Sequence, residues 1–181
     1  METKLPKGGF LCPETIIEEI GIKEGMKIAD FGCGAGYFTI PMAKIVEEKG
    51  KIYALDILKT ALESVKSKAK LEGLLNVMGV QSNLEVLGGS KLQDESIDLA
   101  LLANILFQSS KKADIVKEVK RILKKDGGMV VIEWKEKQPM GPPEKLIASR
   151  GLVQDLAKSE GFKFKKEFPA GKNHWGMIFV K

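Results

Sequence analysis

This chain has few of the residues on which several functional classes depend. Its 181 residues include two cysteines, Cys12 and Cys33, and one histidine, His174. Two cysteines are too few for a disulfide framework, and no second pair of ligands lies at the spacing of a structural zinc site. We therefore expect no bound metal. The absence of an obvious nucleophile–base–acid set also counts against a hydrolase.

Arginine is scarce as well, although the formal net charge is +5 and the isoelectric point is about 9.1. It occurs only at Arg121 and Arg150. Arginine is the residue that most often makes bidentate contacts with phosphate and guanine. Several basic side chains also follow an acid by three positions on predicted helices, so solvated helix faces account for most of the positive charge. Nucleic acid is therefore an unlikely partner.

Long apolar runs are missing too. No stretch approaches the roughly 20 apolar residues that cross a bilayer, and the first ten residues, METKLPKGGF, lack the apolar core of a signal peptide. We therefore expect no membrane partner and a cytoplasmic location. The length suits one domain with a full core. We predict a single domain over residues 1–181, in which residues 1–25 are an N-terminal extension and a helix.

The most informative feature that is present is a glycine-rich loop between an apolar strand and an apolar helix, in residues 27–40, KIADFGCGAGYFTI. Its glycines at alternate positions are Gly32, Gly34 and Gly36. Such glycines allow positive φ and a close backbone approach to a ligand, and the N–H groups of the following helix start point towards it. The loop therefore predicts a binding site for a molecule bearing a carboxylate or phosphate.

The spacing of the loop discriminates between ligands. Dinucleotide folds carry G-x-G-x-x-G, whereas this loop is G-x-G-x-G, with Asp30 two positions before its first glycine. The next predicted strand, KIYALD, ends in Asp56, where an acid can bind both hydroxyls of a ribose. A nicotinamide or flavin fold, and a generic α/β turn with incidental glycines, are the alternatives. The combined pattern is more specific than a lone glycine loop.

DFGCGAGYF followed by ALD resembles the first two motifs of the class I S-adenosylmethionine-dependent methyltransferases, in the small-molecule, methyltransferase-11-like branch. The resemblance covers nearly the whole chain and implies S-adenosyl-L-methionine as cofactor. The fold class it implies is α/β, with a doubly wound, seven-stranded, mostly parallel sheet (the Rossmann-like methyltransferase fold) that ends in a C-terminal antiparallel hairpin.

Alternating strand and helix patterns independently favour a doubly wound parallel sheet. After the first strand at 27–31, strands are predicted at 51–56, 77–81, SIDLALLAN and MVVIEW, and as a terminal hairpin at FKFKKEF and HWGMIFV. Helices are predicted from Pro13 through PETIIEEI and at 38–49, 59–72, 111–124 and 149–159. We expect residues 1–12 to be irregular, and 126–128 to separate a helix from a strand.

Site residues follow from the resemblance, position by position. It implies that Asp30 and the backbone of residues 32–36 surround the methionyl end of the cofactor, that Asp56 holds the ribose hydroxyls, and that Ile57 packs against the adenine. The expected cofactor-binding residues are Asp30, Phe31, Gly32, Cys33, Gly34, Gly36, Tyr37, Asp56, Ile57, Asn83, Leu84 and Asn104. For the Cys33 side chain, we prefer a small residue in a crowded turn to a redox-sensitive thiol.

Two asparagines have open alternatives. The family more often has aspartate at Asn83, whose side-chain oxygen can still accept a hydrogen bond from the adenine amino group, with the backbone of Leu84 alongside. Otherwise Asn83 is a simple turn former. Asn104, directly after SIDLALLA, either contacts cofactor or substrate or caps the following helix.

The acceptor is less well defined. Residues 103–107, ANILF, lack the Asn/Asp-Pro-Pro-aromatic motif of enzymes that methylate adenine amino groups or release-factor glutamine, and the Pro-Cys of those that attack cytosine. This favours a small-molecule acceptor. Glu133, Trp134 and Lys135, with residues 141–143, form a candidate wall of its pocket, although tryptophan is more often a core residue. His174 is either a general base or, more often for a lone histidine, structural. No catalytic residue is assigned.

We therefore predict an S-adenosylmethionine-dependent methyltransferase acting on a small-molecule acceptor. Its chemistry needs mainly an in-line arrangement of nucleophile, methyl and sulfur, which fits the missing triad and metal cluster. The alternatives are a nucleotide-dependent oxidoreductase of the NAD type, and a cofactor-binding module that acts on RNA or a protein partner.

Overall fold

The computed structural model of the protein describes residues 11–181. Its helices are α1 (Pro13–Ile20), α2 (Thr39–Val46), α3 (Lys59–Leu71), α4 (Lys112–Ile122) and α5 (Arg150–Ser159), with 3-10 turns at Leu106–Gln108 and Glu144–Leu146. Its strands are β1 (Lys27–Phe31), β2 (Lys51–Asp56), β3 (Val77–Gln81), β4 (Ile97–Ala103), β5 (Leu123–Trp134), β6 (Lys163–Pro169) and β7 (His174–Val180). Most of the segment predicted to be irregular, residues 1–12, lies outside the described residues.

Within residues 11–181, seven strands form one sheet in the order β3-β2-β1-β4-β5-β7-β6. The first five of these strands are parallel, and β7 runs antiparallel to both β5 and β6. This is the predicted fold class, so the doubly wound sheet and its antiparallel hairpin are confirmed. The single-domain assignment for residues 1–181 stays a prediction.

The central strands are apolar over most of their length because helices cover both faces of the sheet. Side chains alternate between the faces, so Leu102 and Val131 pack into the cluster beside α4 and α5. Leu101 and Val130 pack into the opposite cluster, beside α1 and α2. Among residues 11–181, no helix has the length and apolar character that crossing a membrane requires.

Three predicted boundaries are wrong, including the end of the helix expected at 111–124, which ends at Ile122. The helix expected at 38–49 ends at Val46, because Glu47 adopts a positive φ of 54° and Gly50 returns against the helix end. The separator expected at 126–128 lies inside β5, which begins directly after α4. Residue Leu123 already pairs with Ile97, and the register then shifts, so the glycines form an irregularity within the strand.

The C-terminal hairpin packs closely. Gly176 on β7 lies under Phe168 on β6, and a Cβ at position 176 would lie 2.2 Å from the Phe168 ring. Only glycine fits there without displacing the ring. The hairpin brings His174, the first residue of β7, to the edge of the sheet where the parallel strands end, because Trp134 at the end of β5 is its register partner.

Candidate functional site

A cavity of about 460 Å³ opens at the carboxyl ends of β1, β2 and β3, beside the loop that follows β4. Ligands of open α/β sheets bind at the carboxyl ends of the strands. Six of the twelve predicted cofactor residues line it: Gly32, Gly34, Asp56, Ile57, Asn83 and Leu84. A larger groove of about 670 Å³ lies between α3 and β3, but none of the twelve predicted residues lines it. The smaller cavity is therefore the candidate site.

The glycine loop forms one wall of the cavity. Its three glycines have φ values of 72°, 50° and 84°, a backbone conformation that favours glycine. A Cβ at Gly32 would lie 2.7 Å from the Ile105 side chain, so loop and side chain are in close contact. A Cβ at Gly34 would meet no atom within 4 Å, so the backbone there borders open space that a ligand can approach.

Asp56, the last residue of β2, holds the loop and faces the cavity. Its Oδ2 accepts a hydrogen bond from the Gly34 N–H at 3.0 Å, and its Oδ1 accepts one from the Leu58 N–H at 3.0 Å. A carboxylate has about four acceptor positions, so capacity remains for the two hydroxyls of a ribose. Ile57 and Leu58 are both 60% exposed beside it, and they offer an apolar surface to a flat ring.

The far side of the cavity is made by the turn after β3. The Oδ1 of Asn83 accepts a hydrogen bond from the Glu85 N–H at 3.1 Å, so this side chain does shape the turn while it lines the cavity. Glu85 also lines the cavity, and its Oε1 accepts a hydrogen bond from the Ser109 hydroxyl at 2.6 Å. Sequence reasoning missed Glu85 and Ser109. Glu85 lies two residues after Asn83, and Ser109 lies two residues after Phe107. This closeness in sequence to residues already considered for the site was the available signal.

Asp30 lies in the protein interior and is not among the cavity-lining residues. It is 2% exposed, and its Oδ2 accepts a hydrogen bond from the Thr39 hydroxyl at 2.5 Å. Burial raises the pKa of Asp30 to about 6; the Thr39 hydrogen bond opposes this rise and the Asp56 charge adds to it. The predicted contact of Asp30 with the methionyl end stays a prediction.

Four further predicted residues lie around the loop outside the cavity lining. The Phe31 side chain is fully buried in the core, so only its backbone can approach a ligand there. Cys33 packs against Ala54 and Val65, and burial raises the pKa of its thiol. That environment fits a small residue in a crowded turn.

The other two are Gly36 and Tyr37. A Cβ at Gly36 would lie 3.1 Å from the Val65 side chain, so the helix start packs closely on α3. The Tyr37 side chain is half exposed, and its hydroxyl donates a hydrogen bond to the Leu11 carbonyl. Tyr37 thus attaches the segment before α1 to the loop.

Asn104 lies directly after β4 with a positive φ of 57°. Its N–H donates to the Ile132 carbonyl at 2.8 Å, and its carbonyl accepts from the Gln108 side chain at 2.6 Å. Its Oδ1 is buried and has no hydrogen-bond partner among the described residues. The side chain therefore makes no capping bond, and Asn104 does not line the cofactor cavity.

Trp134 and His174 lie together at the same edge, where β5 ends and β7 begins. Their ring centroids are 4.2 Å apart, and a Cβ at Gly141 would lie 3.3 Å from Cε3 of Trp134. His174 is 1% exposed, and neither ring nitrogen has a partner within residues 11–181. Burial and, to a smaller extent, the charge of Lys135 lower the pKa of His174 to about 4, so the ring is neutral near pH 7.

Similarity to known proteins points to one family. A family model described as a methyltransferase domain matches residues 22–177. A ubiquinone/menaquinone biosynthesis C-methyltransferase from Shewanella sp. (strain ANA-3) is 31% identical over 123 residues, which are 67% of this chain and 48% of that protein. The chain therefore spans about half the length of the curated relatives it matches.

Solved structures share the fold. A SAM-dependent methyltransferase from Aquifex aeolicus superposes with a TM-score of 0.86 at 29% identity, covering 95% of this chain and 90% of that one. An arsenic(III) S-adenosylmethionine methyltransferase from Chlamydomonas reinhardtii has a TM-score of 0.70 at 20% identity, with coverages of 88% and 64%. At that identity, the second likeness shows the fold alone.

Proposed function

This chain belongs to the methyltransferase domain family, and we propose that it transfers the methyl group of S-adenosyl-L-methionine to a small-molecule acceptor. One observation carries the proposal. The Asp56 carboxylate, with acceptor capacity to spare, lies in the same cavity as the Gly34 backbone, which borders open space. An adenosyl amino acid has a ribose, which an acid can bind through its hydroxyls, and a charged amino-acid tail, which a glycine loop can accommodate.

The residues present fit the cofactor along the length of the cavity. Asp56 would accept hydrogen bonds from the ribose hydroxyls, and the exposed side chains of Ile57 and Leu58 would pack against the adenine. Asn83 and Glu85 supply polar groups for the adenine edge. Residues 32–36 and Asp30 would surround the methionyl end, with Asp30 as the acid for its amino group.

When bound, the cofactor supplies a methyl group already activated by its sulfonium. The residues of the chain therefore have to position the acceptor and the methyl group, and they do not have to activate the methyl group. Holding the reacting atoms in line supplies about 7–11 kcal/mol of barrier reduction. A base is required only for an acceptor that arrives protonated.

The acceptor lies beyond the cofactor, at the ends of β4, β5 and β7, against Trp134 and His174 and under the loop at residues 138–143. Support comes from polar atoms without partners among the described residues, the Asn104 Oδ1 and both His174 ring nitrogens. Each such buried group costs about 1–3 kcal/mol unless a ligand or water satisfies it. A neutral imidazole can accept a hydrogen bond from a hydroxyl or amine. Lys135 is held aside, because its ammonium donates to the Lys172 carbonyl at 2.7 Å.

Calorimetric titration with S-adenosylhomocysteine and with NAD tests the cofactor. We expect binding of S-adenosylhomocysteine and none of NAD; binding of NAD alone would support the oxidoreductase alternative and contradict the proposal.

Incubation of a cell extract with methyl-labelled S-adenosylmethionine then tests the acceptor class. Label in the small-molecule fraction supports the proposal, and label confined to RNA or protein contradicts it. The cytoplasmic location and the absence of a nucleic-acid partner stay predictions.

A further inference from the structure

Glu133, the penultimate residue of β5, is a buried carboxylate that the proposed chemistry does not use. Its exposure is 0%. Its Oε1 accepts hydrogen bonds from the Leu106 N–H at 2.7 Å and from the Phe107 N–H at 3.2 Å. Its Oε2 is buried with no partner in the part of the chain described. A charged group at such a position needs an explanation, because burying a carboxylate is costly.

The two N–H groups belong to the segment that closes the cofactor cavity. Residues 104–111 connect β4 to α4, and three of them line the cavity: Ile105, Gln108 and Ser109. The 3-10 turn at Leu106–Gln108 is too short to hold this position by itself. The first two N–H groups of the turn have no partner within it, and both donate hydrogen bonds to Glu133.

The same segment contacts the glycine loop. Ile105 immediately precedes Leu106, and its side chain lies against Gly32, where a Cβ would be only 2.7 Å away. A shift of the turn would therefore move Ile105 relative to the loop and change the width of the cavity. The carboxylate on β5 thus helps to fix the position of this wall, together with the buried Leu106 side chain and the Ser109–Glu85 hydrogen bond.

We propose that Glu133 is a positioning residue for the cofactor: by accepting the Leu106 and Phe107 N–H groups, it holds Ile105 against Gly32 and sets the shape of the cofactor cavity. The inference rests on the proposed function, because it assigns the cavity to S-adenosylmethionine.

The protonation of Glu133 adds a pH dependence. Burial raises the pKa of Glu133 to about 7, while the hydrogen bonds from Leu106, Phe107 and Trp134 and the charge of Lys112 on α4 act in the opposite direction. From α5, Arg150 lies over the ring of Trp175, the register partner of Glu133, and is paired with Glu167. The ionised carboxylate is the stronger acceptor, so the wall is held more firmly above pH 7.

The test compares Glu133→Ala and Glu133→Gln in calorimetric titrations with S-adenosylhomocysteine at pH 6 and pH 8.5. Alanine leaves two N–H groups without an acceptor, and we expect its Kd to rise about tenfold or more. Glutamine keeps an acceptor oxygen, so its Kd at pH 6 should stay within about threefold of the unaltered protein. We expect the unaltered protein to bind more tightly at pH 8.5 than at pH 6, and Glu133→Gln to lose this difference.

Glu118→Gln is the matched control. Glu118 is also fully buried and accepts from the N–H groups of Gly88 and Ser90, but residues 88–90 do not line the cavity. We expect its Kd and pH profile to match those of the unaltered protein.

The inference is overturned if Glu133→Ala folds and binds S-adenosylhomocysteine as tightly as the unaltered protein. If the alanine variant does not fold, the glutamine variant decides, and a pH profile identical to that of the unaltered protein overturns the inference. Failure of the unaltered protein to bind S-adenosylhomocysteine at all would instead remove the proposed function, and the inference with it.

Discussion

The Asp56 carboxylate accepts a hydrogen bond from the backbone N–H of Gly34, 22 residues earlier in the chain, at 3.0 Å. This bond joins the end of β2 to the middle of the glycine loop. The carboxylate assigned to the ribose is therefore already held in place by the loop assigned to the methionyl tail. Such preorganisation reduces what binding costs in ordered side chains.

Replacing Asp56 with alanine should weaken S-adenosylhomocysteine binding by about 10- to 100-fold, because hydrogen bonds to a charged group contribute about 1.5–3 kcal/mol. Titration calorimetry measures the change. Asp98→Ala is the control. Asp98 lies near the start of β4, at the opposite end of the parallel strands from the cavity, where it accepts from the Lys27 N–H and pairs with Lys124. An equal loss of affinity in both variants would show a general effect of destabilisation and contradict the ribose assignment.

Replacing Gly34 with alanine should lower the affinity for S-adenosylhomocysteine by about tenfold or more, because the new methyl group would occupy the open space that the ligand needs. The positive φ adds a stability cost of about 1 kcal/mol. Gly73→Ala is the matched variant, with φ of 67° and no atom within 4 Å of the Cβ, after the end of α3. It should lose the same stability and keep its Kd. An unchanged Kd in Gly34→Ala would contradict the assignment of the glycine loop to the cofactor site.

Asp30 should make folding stability fall as pH rises. Its pKa in the folded protein is about 6, above the ordinary 3.8, so the stability this group contributes is fully present below about pH 3.8. It is lost as pH rises through 6. Asp30→Asn cannot ionise, and its unfolding free energy relative to the unaltered protein should increase by about 1–2 kcal/mol between pH 5 and pH 8. Urea unfolding at the two pH values measures this, and a difference that does not change with pH would contradict the raised pKa.

Replacing His174 with leucine should leave the melting temperature unchanged or raise it, because both ring nitrogens lack partners among the described residues and the ring is fully buried. Methyl transfer to the natural acceptor should fall if His174 faces that acceptor. Thermal unfolding measured with and without S-adenosylhomocysteine checks the first part and shows whether cofactor binding survives. A large loss of stability would support a structural role for the histidine.

The prediction of strands succeeded where a short apolar run has clear ends. The bounds 51–56 and 77–81 are confirmed as β2 and β3, because Gly50 precedes one run and a polar turn follows the other. The start of β5 was wrong because pairing of Leu123 with Ile97, a contact between distant residues, extends the strand through glycines that read as a turn. Such pairing leaves no local signal.

The sequence by itself determined the order of strands and helices, the glycine loop and the acid at position 56, because apolar periodicity and glycine spacing are local properties of the chain. Only the tertiary structure separated Asp30, which is buried against Thr39, from Asp56, which faces the cavity. It alone brought Glu133 to Leu106 and His174 to Trp134. These pairs are far apart in sequence, and their contacts depend on which strands lie side by side, a choice made by the packing of the whole sheet.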